Sequence, residues 1–281
     1  MKASYYPGCA LHGTALEYDE STRAIAKLLD LELVELPDWN CCGASSAHVT
    51  DDALALNLAK RNLEIAAAQG MDLIVPCAAC YSRLKAAERS TAEDGGREST
   101  SGRVISPLEF FFLSGLAERL QGLVQHPLTG LKVVCYYGCL LVRPPDVTGA
   151  RHYEHPDAMD RLMEIIGAEP VPWSYKADCC GGSLVLTRTD IVMRLTTKLF
   201  EKAIETGAEA MVVACPLCQS NLDSRQEEIF RQTGNHHPLP IFYFTELIGL
   251  AVGHTDVNAW LKRHFVDPRR LLAAKGLIRG N

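Results

Sequence analysis

The sequence of 281 residues predicts an α/β fold with two pseudo-symmetric repeats, each a small parallel sheet flanked by helices. Two observations predict this fold class. Four blocks of sequence occur twice in the same order, and in each copy short apolar runs alternate with segments of helical spacing. An order of strands and helices that alternates in this way is typical of a parallel sheet.

The internal repeat extends over most of the chain. Its paired blocks are SYYPGCALHG at 4–13 and VCYYGCLLVR at 134–143, NCCGAS at 40–45 and DCCGGS at 178–183, MDLIVPCAAC at 71–80 and EAMVVACPLC at 209–218, and ISPLEFFFLSGLA at 105–117 and LPIFYFTELIGLA at 239–251. We therefore predict a first domain at 1–125, a second domain at 126–254 and a helical tail at 255–281. The mixed basic and apolar residues of the tail favour a helix packed on the domain over a helix that docks a partner.

Each repeat contains three predicted strands and three predicted helices. Runs rich in Val, Ile, Leu and Tyr predict the strands 2–6, 31–37, 72–77, 131–137, 168–173 and 210–215. Apolar residues at helical spacing predict the helices 22–30, 52–69, 80–88, 157–166, 189–206 and 218–230. Acidic residues near the starts of two helices, Asp52 and Asp190, suit a helix amino terminus.

Ten of the eleven cysteines follow one pattern that is written twice. In the first repeat, 31 residues separate Cys9 from the pair Cys41-Cys42, and 34 residues separate that pair from Cys77-x-x-Cys80. In the second repeat the two intervals are 39 and 34 residues, and the cysteines are Cys139, Cys179, Cys180, Cys215 and Cys218. Because the carboxyl ends of parallel strands share one edge of a sheet, we expect the five thiols of each repeat to converge at that edge.

Composition and charge exclude several classes of protein. The net charge of −6 and the lack of Lys/Arg-rich runs argue against nucleic-acid binding. No basic segment precedes an apolar core at the amino terminus, and no apolar run is long enough to span a bilayer, so we expect a cytoplasmic protein with no transmembrane segment. Clustered cysteines in that reducing compartment more often bind metal or perform redox chemistry than form disulfides.

Five thiols in each repeat suit some metal groups better than others. A structural zinc ion takes four ligands, and adjacent cysteines in an extended turn point apart, which is awkward for binding one ion. An iron–sulfur cluster contains several irons, so neighbouring thiolates can serve different irons. The residues alone leave three possibilities open, namely iron–sulfur clusters, structural zinc and reduced thiols in a core.

The pattern Cys-x31–39-Cys-Cys-Gly-x33-Cys-x-x-Cys, in two complete copies, resembles the cysteine-rich CCG domains of the heterodisulfide reductase B subunit. The resemblance covers nearly the whole chain and includes YPGC, YYGC, both CCG triplets and both closing C-x-x-C blocks. The same domain occurs in succinate or fumarate reductase subunits, glycolate oxidase iron–sulfur subunits and lactate-utilisation proteins. No ferredoxin-like C-x2-C-x2-C-x3-C-P motif is present, so we expect no fused electron-input domain.

The resemblance implies a redox subunit with two non-cubane 4Fe-4S clusters. The implied ligands are Cys9, Cys41, Cys42, Cys77 and Cys80 for one cluster, and Cys139, Cys179, Cys180, Cys215 and Cys218 for the other. The resemblance also implies a catalytic role in cleaving or forming a disulfide, such as that of coenzyme M and coenzyme B. The implied partners are the flavin- and iron–sulfur-containing A subunit and the ferredoxin-like iron–sulfur C subunit of such a reductase. The alternatives are an electron-transfer subunit of another redox complex and a zinc-stabilised structural protein.

Other residues near the cysteines have ordinary explanations. The eleventh cysteine, Cys135, lies inside a predicted strand, and the tyrosine pairs at 5–6 and 136–137 are typical of buried strands. Surface or loop positions are expected for the histidines near the pattern, which are His12, His48, His152 and His155. The glycines expected to let the backbone pass close to a cluster are Gly43, Gly181 and Gly182.

Overall fold

Two similar halves make up the protein. The computed structural model describes residues 1–93, 102–234 and 237–279. Each half contains one four-stranded sheet in which all neighbouring strands are parallel, and helices flank each sheet. The predicted α/β fold class with two pseudo-symmetric repeats is therefore confirmed.

The first half contains four short strands and seven helices among the described residues. Its strands are β1 (Lys2–Tyr5), β2 (Glu32–Glu35), β3 (Leu73–Ile74) and β4 (Val104–Ile105). Its helices are α1 (Gly8–Leu11), α2 (Leu16–Leu28), α3 (Ser46–Thr50), α4 (Asp52–Gln69), α5 (Ala78–Glu93), α6 (Pro107–Leu113) and α7 (Leu116–Gln121). The strand order is β2-β1-β3-β4, so the chain crosses over β1 before it adds the third and fourth strands.

The second half repeats this topology with the strand order β6-β5-β7-β8. Its strands are β5 (Lys132–Tyr136), β6 (Glu169–Pro170), β7 (Ala210–Val213) and β8 (Ile241–Tyr243). Its helices are α8 (Pro145–Thr148), α9 (Ala158–Ile165), α10 (Thr189–Glu205), α11 (Pro216–Ser224), α12 (Gln226–Thr233) and α13 (Phe244–Ala251), and a turn of 3-10 helix covers Gly182–Leu184. The tail contains α14 (Val257–Leu261) and α15 (Arg269–Ala274).

Helix α4 begins and ends where local sequence signals predict, whereas α2 starts before the predicted residues 22–30 and α5 extends past the predicted 80–88 at both ends. Helix α4 starts after Asp51, whose carboxylate accepts a hydrogen bond from the Leu54 backbone N–H, and it ends at Gly70 with a φ of 66°. A side-chain acceptor at the first position and a left-handed glycine at the last satisfy backbone groups that the helix itself cannot pair. This helix brings the segment after the first double cysteine back to the sheet.

The sequence predicts three strands per half, whereas the structure has four. The extra strands β4 and β8 are only two and three residues long, and a helix follows each of them closely. Their apolar residues therefore belong to a run that continues into a helix, and no strand-like alternation separates the two elements. The predicted helix at 218–230 is in fact two helices, α11 and α12, which meet at Arg225.

The two halves pack tightly against each other through α2 and α13. The rings of Tyr18 and Tyr243 stack with centroids 4.2 Å apart, and the hydroxyls of Ser21 and Thr245 are 2.7 Å apart. All four side chains are buried, so this contact is continuous core rather than a wet interface. The interface therefore fixes the carboxyl-terminal edges of the two sheets relative to each other.

The tail contacts both halves. Arg263 forms an ion pair with Glu20 of the first half at 2.6 Å, and Lys275 forms one with Glu209 of the second half at 2.6 Å. Trp260 of α14 is only 1% exposed, which shows that the tail is part of the core. Within the described ranges, no helix combines the length and the apolar character that crossing a membrane requires.

Candidate functional site

The five patterned cysteines of the first half come together at the carboxyl-terminal edge of its sheet. Cys9 lies in α1, the Cys41-Cys42 pair lies between β2 and α3, and Cys77 and Cys80 lie at the start of α5. The Sγ atoms of Cys42 and Cys80 are 3.1 Å apart, and the Gly43 backbone N–H donates to Cys41 Sγ at 3.4 Å. All of these thiols are free, and Cys9 and Cys41 are exposed to solvent.

The second set has the same arrangement. The Sγ atoms of Cys180 and Cys218 are 3.6 Å apart, and the Gly181 backbone N–H donates to Cys179 Sγ at 3.3 Å. The thiols of Cys139 and Cys179 interact with each other, and so do those of Cys215 and Cys218. The structure therefore brings together the five thiols that the spacing predicts in each repeat.

Interactions between neighbouring thiols shift the pKa values within each set. The hydrogen bond between the Cys42 and Cys80 thiols lowers the pKa of Cys42 to about 7. In the second half, the interaction with the Cys139 thiol lowers the pKa of Cys179 to about 6. A thiol with a pKa near neutrality is substantially thiolate, which is the form that binds metal.

A buried tyrosine holds each double-cysteine loop. The hydroxyl of Tyr6 donates to the Asn40 carbonyl at 2.7 Å, and the hydroxyl of Tyr136 donates to the Asp178 carbonyl at the same distance. In both halves the accepting residue directly precedes the cysteine pair. Burial raises the pKa of both tyrosines, and the neighbouring thiols raise it further, so both hydroxyls remain proton donors.

The sequence patterns predict an ordinary core role for these tyrosines and do not predict this contact. The signal that could have found them is their equivalent position in the repeat, where Tyr6 and Tyr136 each stand three residues before a patterned cysteine. Tyr5 and Tyr137 do not share this role. The hydroxyls of those two residues donate to the carboxylates of Asp19 and Asp160 instead.

Two glycines outside the double-cysteine motifs approach sulfur closely. A Cβ atom at Gly8 would lie 3.1 Å from Cys80 Sγ, and a Cβ atom at Gly138 would lie 3.0 Å from Cys218 Sγ. Both residues have positive φ angles, of 64° and 68°, which glycine adopts without strain. These positions need glycine both for the backbone turn and for the space beside a thiol.

The glycines predicted to lie beside a cluster have mixed surroundings. A Cβ atom at Gly43 would meet the Ala55 backbone of α4 at 3.0 Å, and one at Gly181 would meet the Val192 backbone of α10 at 3.3 Å. These two glycines therefore permit close helix packing. Of the three, only Gly182 would place a Cβ atom near a thiol, at 3.4 Å from Cys180 Sγ.

The two thiol sets meet at the interface between the halves. The Ala78 backbone N–H, at the start of α5, donates a hydrogen bond to the Cys215 thiol of the other half. Tyr18 lies between the sets, since Cys215 and Cys77 both raise the pKa of its buried hydroxyl in addition to the larger effect of burial. The first half thus forms part of the surroundings of the second thiol set.

A cavity of about 230 Å³ opens at this interface. All five thiols of the second set line it. The first half contributes Ala44, His48, Ala78, Ala79, Ser82 and Arg83. The cavity therefore joins one thiol set to polar and basic side chains of the opposite half.

The other candidate residues have different environments. Cys135 is fully buried in β5, which confirms its predicted core position, and burial raises the pKa of its thiol. His12 packs edge-on against Trp39, and His152 is exposed.

Among the described residues, no group of three or more His, Cys, Asp or Glu side chains has the arrangement that a single metal ion needs.

Comparison with known proteins identifies the domain in both halves. Residues 3–85 and 133–223 each match the family described as CCG, the cysteine-rich domain. These segments contain all ten patterned cysteines. The family match thus falls on the repeat that the sequence spacing defines.

Several characterised proteins resemble the chain over nearly its full length. The 8-methylmenaquinol:fumarate reductase membrane anchor subunit of Wolinella succinogenes is 30% identical, with 95% of this chain and 98% of that protein aligned. The B subunit of the ferredoxin/F(420)H(2)-dependent CoB-CoM heterodisulfide reductase of Methanosarcina acetivorans is 26% identical, with 97% and 96% aligned.

A solved structure also resembles the fold. It is a hypothetical protein from Helicobacter pylori, with a TM-score of 0.70 and 11% sequence identity over 95% of this chain and 52% of that one. At this identity the likeness concerns the fold alone.

Proposed function

The chain belongs to the cysteine-rich CCG domain family, and we propose that it is the catalytic subunit of a heterodisulfide reductase-like complex. In this proposal the protein cleaves, or forms, a disulfide in two one-electron steps. The observation that carries the proposal is that the two five-thiol sets approach each other across one interface, where the Ala78 backbone beside Cys77 contacts Cys215, and that the second set lines a cavity that a small molecule can enter. A single structural metal ion gives no reason for two such sets to lie at one interface.

The two thiol sets fit a pair of iron–sulfur clusters. Thiolates are the usual ligands of such clusters. The pKa is lowered for one thiol of the first set, Cys42, and for three of the second set, Cys179, Cys180 and Cys215. Gly8 and Gly138 leave space beside the sulfur atoms. The proposed ligands are Cys9, Cys41, Cys42, Cys77 and Cys80 for one non-cubane 4Fe-4S cluster, and Cys139, Cys179, Cys180, Cys215 and Cys218 for the other. When bound, each cluster would supply one electron and an iron that accepts one thiolate product.

The chain's own residues would position and protect these groups. Tyr6 and Tyr136 hold the two double-cysteine loops in place through hydrogen bonds of 2.7 Å. Burial of Cys42, Cys77 and Cys215 keeps water away from the inner side of the site. The cavity leaves the outer side of the second set open to a disulfide.

The names of the relatives support a role inside a multi-subunit redox complex. The Methanosarcina and Wolinella proteins are both named as subunits of reductases. We therefore propose that the partners that supply electrons are a flavin- and iron–sulfur-containing A subunit and a ferredoxin-like iron–sulfur C subunit. A cytoplasmic location, where thiols stay reduced, is part of the same proposal.

Anaerobic purification with metal analysis and EPR spectroscopy tests the proposal. We expect about eight irons per chain, matching acid-labile sulfide, and an EPR signal of the oxidised protein that changes when a thiol is added. About four irons would rule out the two-cluster mechanism. Zinc in place of iron would leave the zinc-stabilised structural protein as the better description.

The Wolinella relative favours a second candidate, an electron-transfer subunit of a fumarate reductase-like complex. That protein is 30% identical over nearly its whole length, which is the higher identity of the two relatives described above. An assay with reduced viologen as the electron donor separates the two functions, because disulfide cleavage consumes two electrons and two protons and releases two thiols. Thiol release from the disulfide of mercaptopropionate supports the disulfide-cleaving subunit. An iron-loaded protein that releases no thiol supports the electron-transfer subunit.

A further inference from the structure

A group of buried ionisable side chains lies near the second thiol set and has no part in the disulfide chemistry described above. It contains three carboxylates and one histidine, from α2, α11, α13 and the tail, namely Glu17, Asp223, Glu246 and His264. His264 Nε2 lies 2.9 Å from a Glu246 oxygen, and His264 Nδ1 lies 3.9 Å from an Asp223 oxygen. At that distance Nδ1 is a buried polar atom without a hydrogen-bond partner among the described residues. These four residues are called the buried acidic group below.

The buried acidic group contains more negative than positive charge. Burial lowers the pKa of His264, but the surrounding carboxylates outweigh this effect and raise it to about 9, so the imidazole carries one positive charge near neutral pH. The neighbouring Arg263 forms its ion pair with Glu20, at 2.6 Å. Three carboxylates thus share one cation within the group. A surplus of buried negative charge costs free energy, and an additional proton on a carboxylate reduces that cost.

Glu17 is the carboxylate of this group that is best suited to take up the proton. Donated hydrogen bonds stabilise the charged forms of the other two. Asp223 accepts three such bonds, and Glu246 accepts one from the Tyr243 backbone N–H at 2.9 Å and lies beside the His264 imidazole. Burial raises the pKa of Glu17, and the like charge of Glu246 adds to this increase.

Tyr243 connects the buried acidic group with the second thiol set. Burial raises the pKa of its hydroxyl, and Glu17, Glu246 and the Cys215 thiol raise it further, so all three lie close to this hydroxyl. The Tyr243 hydroxyl has no hydrogen-bond partner in the described part of the chain, and its ring stacks on Tyr18, which follows Glu17 directly. Charges in such a buried region are weakly screened. A change of charge at Cys215 therefore acts on Glu17 across a short path through the core.

We propose that Glu17 takes up one proton from solvent when the group held by the second thiol set is reduced by one electron. This inference rests on the proposed function, because it requires a redox-active cluster at that set. The added electron makes the site more negative and so increases the affinity of the Glu17 carboxylate for a proton, which forms an O–H bond there. Oxidation releases the proton again. The coupling suits a reaction that consumes equal numbers of electrons and protons.

Anaerobic redox titration of the iron-loaded protein, followed by EPR at several values between about pH 6 and about pH 9, tests the inference. When one electron brings one proton with it, each tenfold fall in proton concentration lowers the midpoint potential by about 59 mV. We expect the potential of one cluster to fall with rising pH, with a maximum slope near this value. The potential of the other cluster is expected to stay nearly constant.

A matched pair of variants locates the effect. Glu17→Gln keeps the shape of the side chain but cannot take up the proton, so the slope is expected to disappear. Glu32→Gln is the control, because Glu32 is exposed, pairs with Lys2 and begins β2, at the edge of the sheet opposite the thiols. It is expected to keep the wild-type slope. Infrared difference spectra of the wild type in H2O and D2O give a second measurement, in which reduction should produce a carbonyl band of a protonated carboxyl group that shifts in D2O.

The outcomes separate this inference from the function on which it rests. A protein without reducible clusters refutes the proposed function, and the proton coupling with it. Two reducible clusters whose potentials do not change with pH leave the function standing and refute the coupling. A slope that persists in Glu17→Gln means that another group takes up the proton, which overturns the role of Glu17. If Glu17→Gln binds no iron, the wild-type infrared spectra decide, since the absence of a carboxyl band on reduction refutes the inference and its presence supports it.

Discussion

A buried histidine in the tail makes the stability of the protein depend on pH. The side chain of His264 is fully buried, with Nε2 at 2.9 Å from Glu246 and Nδ1 at 3.9 Å from Asp223. Glu17 of α2 also contributes to the potential at this histidine. Burial alone would lower the pKa of His264, but the surrounding carboxylates outweigh it and raise the pKa to about 9.

The raised pKa can be converted into a stability change. The ordinary value of 6.5 and the folded value of about 9 differ by a free energy of about 3 kcal/mol, at about 1.4 kcal/mol per pKa unit. Because the folded pKa is the higher one, the folded state binds the proton more tightly. The stabilisation is therefore complete below pH 6.5 and is lost as the pH rises to about 9.

Urea unfolding under anaerobic conditions measures this effect in wild type and in His264→Gln. Between about pH 6 and about pH 9, we expect the free energy of unfolding of the wild type to fall by about 3 kcal/mol more than that of the variant. His152→Gln removes an exposed histidine and should keep the wild-type dependence on pH. Parallel pH dependences in wild type and His264→Gln would refute the role assigned to this histidine.

The remaining predictions concern the double-cysteine loops and the glycines beside them. Tyr136→Phe removes the hydrogen bond to the Asp178 carbonyl, and we expect a loss of about 1 kcal/mol in stability and faster iron release to a chelator. Iron release at the wild-type rate would contradict a positioning role. Gly138→Ala adds a Cβ atom 3.0 Å from Cys218 Sγ at a φ of 68°, and we expect about half of the iron to be lost. Gly149→Ala is its control, because Gly149 has a φ of 72° and no atom within 4 Å of the added Cβ; equal iron contents in the two variants would exclude a steric cause at the thiol.

Local signals in the sequence predict much of the fold. The ten patterned cysteines lie where they are expected, at the carboxyl-terminal edges of the two sheets. Helix α4 covers the predicted residues 52–69 because its ends carry a capping aspartate and a left-handed glycine. The short edge strands β4 and β8 were missed because two or three residues show no periodicity of their own. The role of Tyr136 and the site of His264 depend on contacts between residues 18 to 42 positions apart, which no local pattern contains.

One difference between the repeats predicts that the two proposed clusters are not equivalent. The Ala78 backbone N–H donates to Cys215, whereas the residue that corresponds to Ala78 in the second repeat is Pro216, which has no N–H to donate to Cys77. Ala78 is the first residue of α5, a position where proline is well tolerated, so Ala78→Pro should remove the hydrogen bond and keep the helix.

The expected result of Ala78→Pro is a lower midpoint potential for one cluster and an unchanged potential for the other. Hydrogen bonds to ligand sulfur favour the more negative, reduced state, so losing one bond lowers the potential, by up to about 60 mV for a one-electron couple. Anaerobic redox titration followed by EPR measures both values, and Ala78→Gly, which keeps the N–H, is the control. Equal shifts of both potentials, or a shift in the glycine variant of the same size, would mean that the hydrogen bond between the halves does not distinguish the two sites.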